Sequence, residues 1–229
     1  MEEIIGILGA MPDEVAQLCA RLAGVRCELY GGVQYHLGAL GARRVAVCCA
    51  GMGKANAAAA TQVLITRYGA QRIIFSGIAG NMSREIGVGD VVVGRTVVYH
   101  DAENAMLAQS APFTAEYPGD AAMVDAALAA CRAAGVKAIA GKIATGDRFV
   151  GDSATKAAIA AAVAPDCVEM EGAAVSQIAA KNGVPCVVLR AMSDDADEDG
   201  RERLVVQQFS IEAYVATATR IVLGLLERL

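Results

Sequence analysis

The chain has 229 residues, 55% of them hydrophobic and 20% charged, enough apolar material for one large core, so a single domain over residues 1–229 is expected. A formal net charge of −5 leaves no basic stripe for a phosphate backbone or an anionic lipid surface, which argues against nucleic-acid and membrane partners. Glu2 and Glu3 stand where a leader would be positive, no run reaches the ~18 to 20 apolar residues of a membrane span, and seven cysteines show no CxxC spacing, so a soluble cytoplasmic protein with reduced, largely buried thiols is expected.

Residues 4–8 are an apolar run closing on Gly9, the pattern of a first strand. Residues 13–23 read as a helix with Pro12 in its first turn, where a missing N–H costs little. Gly31-Gly32 divides the run 26–30 from 33–40, and Gly41 divides that run from 43–50, which predicts an antiparallel excursion and therefore a mixed sheet. A helix over 54–68, a buried strand over 72–76 and a long strand over 90–99 follow. The stretch from Asn104 to Gly119 is the least regular, and loops of that length inside compact domains often serve function. Helices are predicted over 120–134, 153–163 and 172–181, strands over 137–144, 167–169 and 185–190, and a closing amphipathic helix over 204–229. The fold class is α/β, one domain with a central mixed twisted β-sheet flanked by helices.

Ligands of open α/β sheets sit beyond the carboxyl ends of strands. Three acidic residues meet that condition: Glu14 after the first strand, Glu171 after Val168-Glu169-Met170, and Asp194 after Arg190-Ala191-Met192-Ser193. Each alone has an ordinary alternative as a carboxylate favoured by a helix N-terminus. Three at strand exits point to carboxylate chemistry. Gly51-Met52-Gly53-Lys54 ends like a phosphate loop, but Cys48 replaces the leading glycine and Ala55 the magnesium-binding hydroxyl. Gly6-Ile7-Leu8-Gly9 lacks dinucleotide-site spacing. His36 and His100 are the only histidines, so no metal site is expected; His100-Asp101 reads as a loop anchor. No G-x-S-x-G nucleophile elbow occurs.

Eight segments then occur in one order: Gly6 to Val15, Gly51-Met52-Gly53-Lys54, Gly77-Ile78-Ala79-Gly80, Val88 to Val93, Tyr99-His100-Asp101-Ala102, Thr145 to Val150, Val168 to Gly172, and Arg190 to Asp194. Together they resemble the 5′-methylthioadenosine/S-adenosylhomocysteine nucleosidases of the nucleoside phosphorylase superfamily. The resemblance implies a hydrolase that uses water to release adenine from both nucleosides, with 5′-deoxyadenosine a further candidate substrate, and it implies no cofactor. It assigns Asp194 to protonation of purine nitrogen 7, Glu14 to activation of water, Glu171 to the ribose hydroxyls and Arg190 to support of the water and acids. Phe149 would stack on the purine, the Val150 backbone would read its edge, and Met170 would pack under the ribose. Met11, Met52, Ile78, Ala79, Gly80, Glu169 and Ser193 complete the expected lining. It further implies a homodimer in which the segment from Asn104 to Gly119, carrying Met106, Leu107, Pro112 and Phe113, reaches the partner's pocket.

Departures from the family pattern are Ile78, where many relatives carry Ser or Thr, and Asn81, where a second glycine is usual. The covering phenylalanine has no clear counterpart, Leu204 or Val206 falling nearest. Two other readings are a purine or uridine phosphorylase, whose phosphate would want arginine and hydroxyl donors, and a non-catalytic nucleoside-binding or storage protein. The first loop offers a dianion Asp13 and Glu14, and a storage protein has no need of Glu14, Glu171, Arg190 and Asp194 together.

Overall fold

A computed structural model describes residues 3–197 and 211–229. Strand β1 (Ile4–Gly9) lies between β4 (Arg43–Cys49) and β5 (Ala70–Asn81), parallel to both. On the β4 side, β3 (Val33–Leu40) and then β2 (Ala23–Tyr30) extend the sheet antiparallel, as Gly31-Gly32 and Gly41 predict. Beyond β5 the sheet does not end. β10 (Cys186–Asp194) runs parallel to β5, β6 (Val91–Tyr99) antiparallel to β10, and β8 (Ala138–Thr145) parallel to β6. β9 (Cys167–Glu169) then joins β8 to the far end of β5 at Gly80 and Asn81, so five strands close on themselves. β7 (Glu116–Pro118) adds to the outer part of β6.

Helices cover both faces. α1 (Pro12–Ala20), α4 (Ala121–Ala133) and α7 (Ile211–Leu226) bury Val15, Leu18, Met123, Ala127, Val222 and Leu225 against Ile5, Ile7, Val45, Ile74 and Val187. On the other face α2 (Lys54–Thr66) and α6 (Gly172–Lys181) pack together through Ala57, Ala60, Ala173 and Ala179, side chains short enough for close approach. α5 (Ser153–Val163) contributes Ile159 to a smaller cluster with Val98, Ala144 and Val168. Asp120 and Asp152 accept from the backbone N–H of Met123 and Thr155 and so start α4 and α5.

Some details differ from the sequence expectation. α1 stops at Ala20 rather than 23, because Ala23 already opens β2. β5 and β10 run several residues past 76 and 190, so that Gly77 and Gly80 lie in the ladder, opposite Arg190 and Asp194. The segment 104–119 is not structureless: it holds the short helix α3 (Asn104–Leu107) as well as β7. Positions 204–210, including Leu204 and Val206, lie outside the described residues. All seven cysteines are free and largely buried, as expected: Cys48, Cys131, Cys167 and Cys186 are buried and Cys19 and Cys49 half-buried, with Cys27 exposed on the edge strand. No described helix is long and apolar enough to cross a membrane.

The β5–β10 ladder contains one irregularity that matters for the site. Met192 pairs with Ala79 and Asp194 with Gly80, which leaves an extra residue, Ser193, on β10. Neighbouring residues of a regular strand point to opposite faces. Here Ser193 and Asp194 both border the same cavity.

Candidate active site

The carboxyl ends of β1, β5, β9 and β10 surround a cavity of about 190 Å³. Glu14 enters from the first turn of α1, whose start is set by Pro12. Its Oε2 accepts from the backbone N–H of Ala10 at 2.7 Å and Met11 at 3.0 Å, and its Oε1 from that of Ile78 at 3.1 Å. The bond to Met11 is the reach-back of a third-position glutamate to the N-cap. The ordinary helix-start role is therefore real, yet Glu14 also borders the cavity and reaches β5. Burial raises its pKa, against the opposing pull of Arg190 and the three backbone donors.

Arg190 is almost wholly buried, 1% exposed. Its Nη2 pairs with Glu169 and lies 3.3 Å from Glu171 Oε2, its Nη1 reaches the Ile78 carbonyl at 3.4 Å, and the guanidinium lies 4.1 Å from the Phe75 ring centroid. Burial alone would lower its pKa, but Glu169, Glu171 and Glu14 outweigh it and keep the cation charged. Gly77 is required at this point, since a Cβ there would overlap the guanidinium. Glu171 Oε1 accepts from the Gly53 N–H at 2.8 Å. Burial pushes the Glu171 carboxyl up to about 7, with Arg190 pulling down and Glu169 adding to the rise.

Glu169 lines the cavity as expected, but its oxygens are engaged within the protein. Oε1 meets the Thr145 hydroxyl, and Oε2 takes Arg190 and the N–H groups of Gly172 at 2.7 Å and Glu171 at 3.1 Å. Its charge balances Arg190, and breaking such a buried pair from one side costs about 3–5 kcal/mol. At the other end, Asp194 Oδ2 accepts from the Ser193 hydroxyl at 2.6 Å and Oδ1 from the Ala196 N–H at 2.8 Å.

Met11, Met52, Ile78, Ala79, Gly80, Phe149 and Met170 supply the rest of the predicted lining, with Ala10 and Val168 added. Val150 borders a smaller adjoining pocket beside Phe149, Met170 and Asp194. Met52 and Phe149 form an open rim, 63% and 51% exposed. Asp101 anchors loops as predicted: it pairs with Lys54 Nζ at 2.8 Å and accepts from the Asp147 N–H at 2.8 Å, tying the start of α2 to the loop that carries Phe149. Among the described residues no group of three or more His, Cys, Asp or Glu side chains could hold a metal ion.

A family model described as the phosphorylase superfamily matches residues 4–227. A 5′-methylthioadenosine/S-adenosylhomocysteine nucleosidase of Shewanella halifaxensis is 38% identical over 201 residues, covering 85% of this chain and 87% of the relative. The chain belongs to this nucleosidase family. Two solved nucleosidases share its fold closely. That of Neisseria meningitidis, in complex with methylthio-immucillin-A, gives a TM-score of 0.92 at 30% identity, covering 99% of this chain and 100% of that one. That of Colwellia psychrerythraea, in complex with adenine, gives 0.91 at 30% identity, covering 100% and 96%.

Within the nucleosidase family, this chain's Ile78 keeps a backbone N–H on Glu14 although its side chain offers no hydroxyl. Sequence reasoning missed Thr145, Gly53 and Asn81 as parts of the site's support. Thr145 was visible only as the first residue of a family segment. Gly53 was visible only within a failed phosphate loop and a family segment, because its contribution is a backbone N–H.

Proposed function

We propose that this chain hydrolyses the N-glycosidic bond of 5′-methylthioadenosine and S-adenosylhomocysteine, releasing adenine and the 5-substituted ribose. The observation that carries the reading is that Glu14 and Asp194 border one largely apolar cavity from opposite ends of a short span of β5. Glu14 is held at Ile78 and Asp194 stands opposite Gly80, two residues on, or ~7 Å along the strand. That spacing suits a water at C1′ and a proton donor at purine nitrogen 7. Water attacks C1′ and gives a proton to Glu14 while the C1′–N9 bond breaks. Asp194 delivers a proton to nitrogen 7, so adenine leaves neutral. Glu171 binds the ribose hydroxyls and steadies the positive charge on the sugar, Arg190 orients Glu171 and pulls the Glu14 and Glu171 pKa values down against burial, and Phe149 covers the purine.

Phosphorolysis is disfavoured because Arg190, the cation bordering the cavity beside Glu14, is already engaged by Glu169 and Glu171. Adenine release from methylthioadenosine in phosphate-free buffer is the test. Full rate with free 5-methylthioribose as product is expected; a requirement for phosphate, with a sugar 1-phosphate formed, overturns the reading.

The working form is a homodimer in this reading. Met106 and Phe113 are 61% and 72% exposed, large apolar side chains that suit a partner's pocket rim better than water. Sedimentation at micromolar concentration should give a dimer, and a fully active monomer overturns this. Seven free thiols fit the reducing cytoplasm.

A further inference from the structure

The proton donor is held by a turn whose geometry is unusual. The Ala196 N–H donates to Asp194 Oδ1 where the chain bends after β10, and Ala196 itself stands at φ 52°. A residue with a Cβ adopts that left-handed conformation only where its surroundings hold it there. Two side chains from different elements do so. Asn81, the last residue of β5, donates its amide to Asp195 Oδ1 at 3.2 Å, and Lys156 of α5 donates its ammonium to the Asp195 carbonyl. Below them the Ala196 methyl fills the space over Gly80, where a Cβ would come within 2.8 Å of it.

Asn81 is itself fixed. Its amide also donates to the Ile86 carbonyl at 3.1 Å and its oxygen accepts from the Ser83 N–H at 3.0 Å. Exchanging its oxygen and nitrogen would set acceptor against acceptor at both Ile86 and Asp195, so the orientation is determined by its partners. Asn81 is buried and Asp195 half-buried, and Asn81 does not line the cavity.

We infer that Asn81 is a positioning residue for Asp194, acting through Asp195: the clasp holds the turn that presents the Ala196 N–H to one carboxylate oxygen and so fixes the plane of the acid. Without it the turn relaxes, the carboxylate rotates, and the proton is delivered less often along the line to nitrogen 7. The role rests on the reading of Asp194 as general acid. It predicts a defect in leaving-group protonation, not in binding.

The test compares methylthioadenosine with a 5-methylthioribosyl nitrophenolate, whose leaving group departs without a proton, in wild type, Asn81→Ala, Asp195→Ala, the double variant, Asp195→Asn and Asp194→Asn. Each alanine variant should lose about tenfold in kcat on methylthioadenosine, with KM little changed and the nitrophenolate slowed no more than about threefold. The double variant should be no slower than either single one, because both remove the same clasp. Asp195→Asn keeps an oxygen acceptor and should restore most of the rate. Should burial make Asn81→Ala fold poorly, Asp195→Ala carries the same comparison. Equal slowing of both substrates by Asn81→Ala and Asp195→Ala, or additive losses in the double variant, overturns the inference while selective slowing by Asp194→Asn leaves the acid in place. Equal slowing by Asp194→Asn overturns the acid reading itself and the inference with it.

Discussion

Asp194→Asn is expected to fold normally and to lose roughly 10²- to 10⁴-fold in turnover on methylthioadenosine. Folding survives because asparagine reproduces both contacts. Its oxygen can accept from the Ala196 N–H, now at 2.8 Å, and its amide can face the Ser193 oxygen, whose hydroxyl then turns to the Ala79 carbonyl 3.2 Å away. Chemistry does not survive, since an amide cannot exchange a proton with the purine and adenine leaves poorly as an anion. Thermal melting and single-turnover adenine release separate the two effects. A melting point near wild type with turnover within a factor of about ten would remove Asp194 from the acid role.

Glu14→Gln should lower turnover by roughly 10²-fold or more while leaving the affinity for a nucleoside inhibitor much less changed. This variant also has a stability cost that Asp194→Asn avoids. Three backbone N–H groups converge on the two Glu14 oxygens, and glutamine must turn its amide toward one side, setting donor against donor. An unsatisfied buried donor costs about 1–3 kcal/mol, visible as a lower denaturation midpoint. The wild-type pH profile checks the same assignment. Burial raises the Glu14 pKa and pushes Glu171 to about 7, and in the proposed reaction both act as carboxylates. Activity is present above their raised pKa values and lost as pH falls through them, so kcat/KM should begin to drop near pH 7, above the ordinary carboxylate range. A flat profile down to pH 5 contradicts it.

The three acids were legible in the sequence because each follows an apolar strand at the place where α/β folds bind ligands, and the family resemblance then gathered the apolar lining around them. Local pattern also set most elements, from the hairpins divided by Gly31-Gly32 and Gly41 to helices α5 and α6. What escaped is non-local. The closing of β9 onto the end of β5 depends on pairing Gly80 with Val168, positions 88 residues apart that carry no mutual signal in a single sequence. Gly77 fell outside the strand read over 72–76, and nothing near it in the chain signals that it makes room for Arg190. Glu169 read as a ligand contact because nothing in its neighbourhood announced that Thr145, Arg190 and two backbone N–H groups would take its oxygens.

The extra residue in β10 makes chain length as much a part of the acid as the side chain is. Because Ser193 breaks the pleat between Met192 and Asp194, losing one residue there restores strict alternation and turns either the hydroxyl or the carboxylate away from the cavity. Substitutions along this strand can be tolerated one at a time, in proportion to how well each new side chain packs. A one-residue deletion has no such graded form. Natural variation at the end of β10 should therefore proceed by exchange of residues at fixed length, with gains and losses of residues confined to stretches whose side chains do not have to be counted from Arg190.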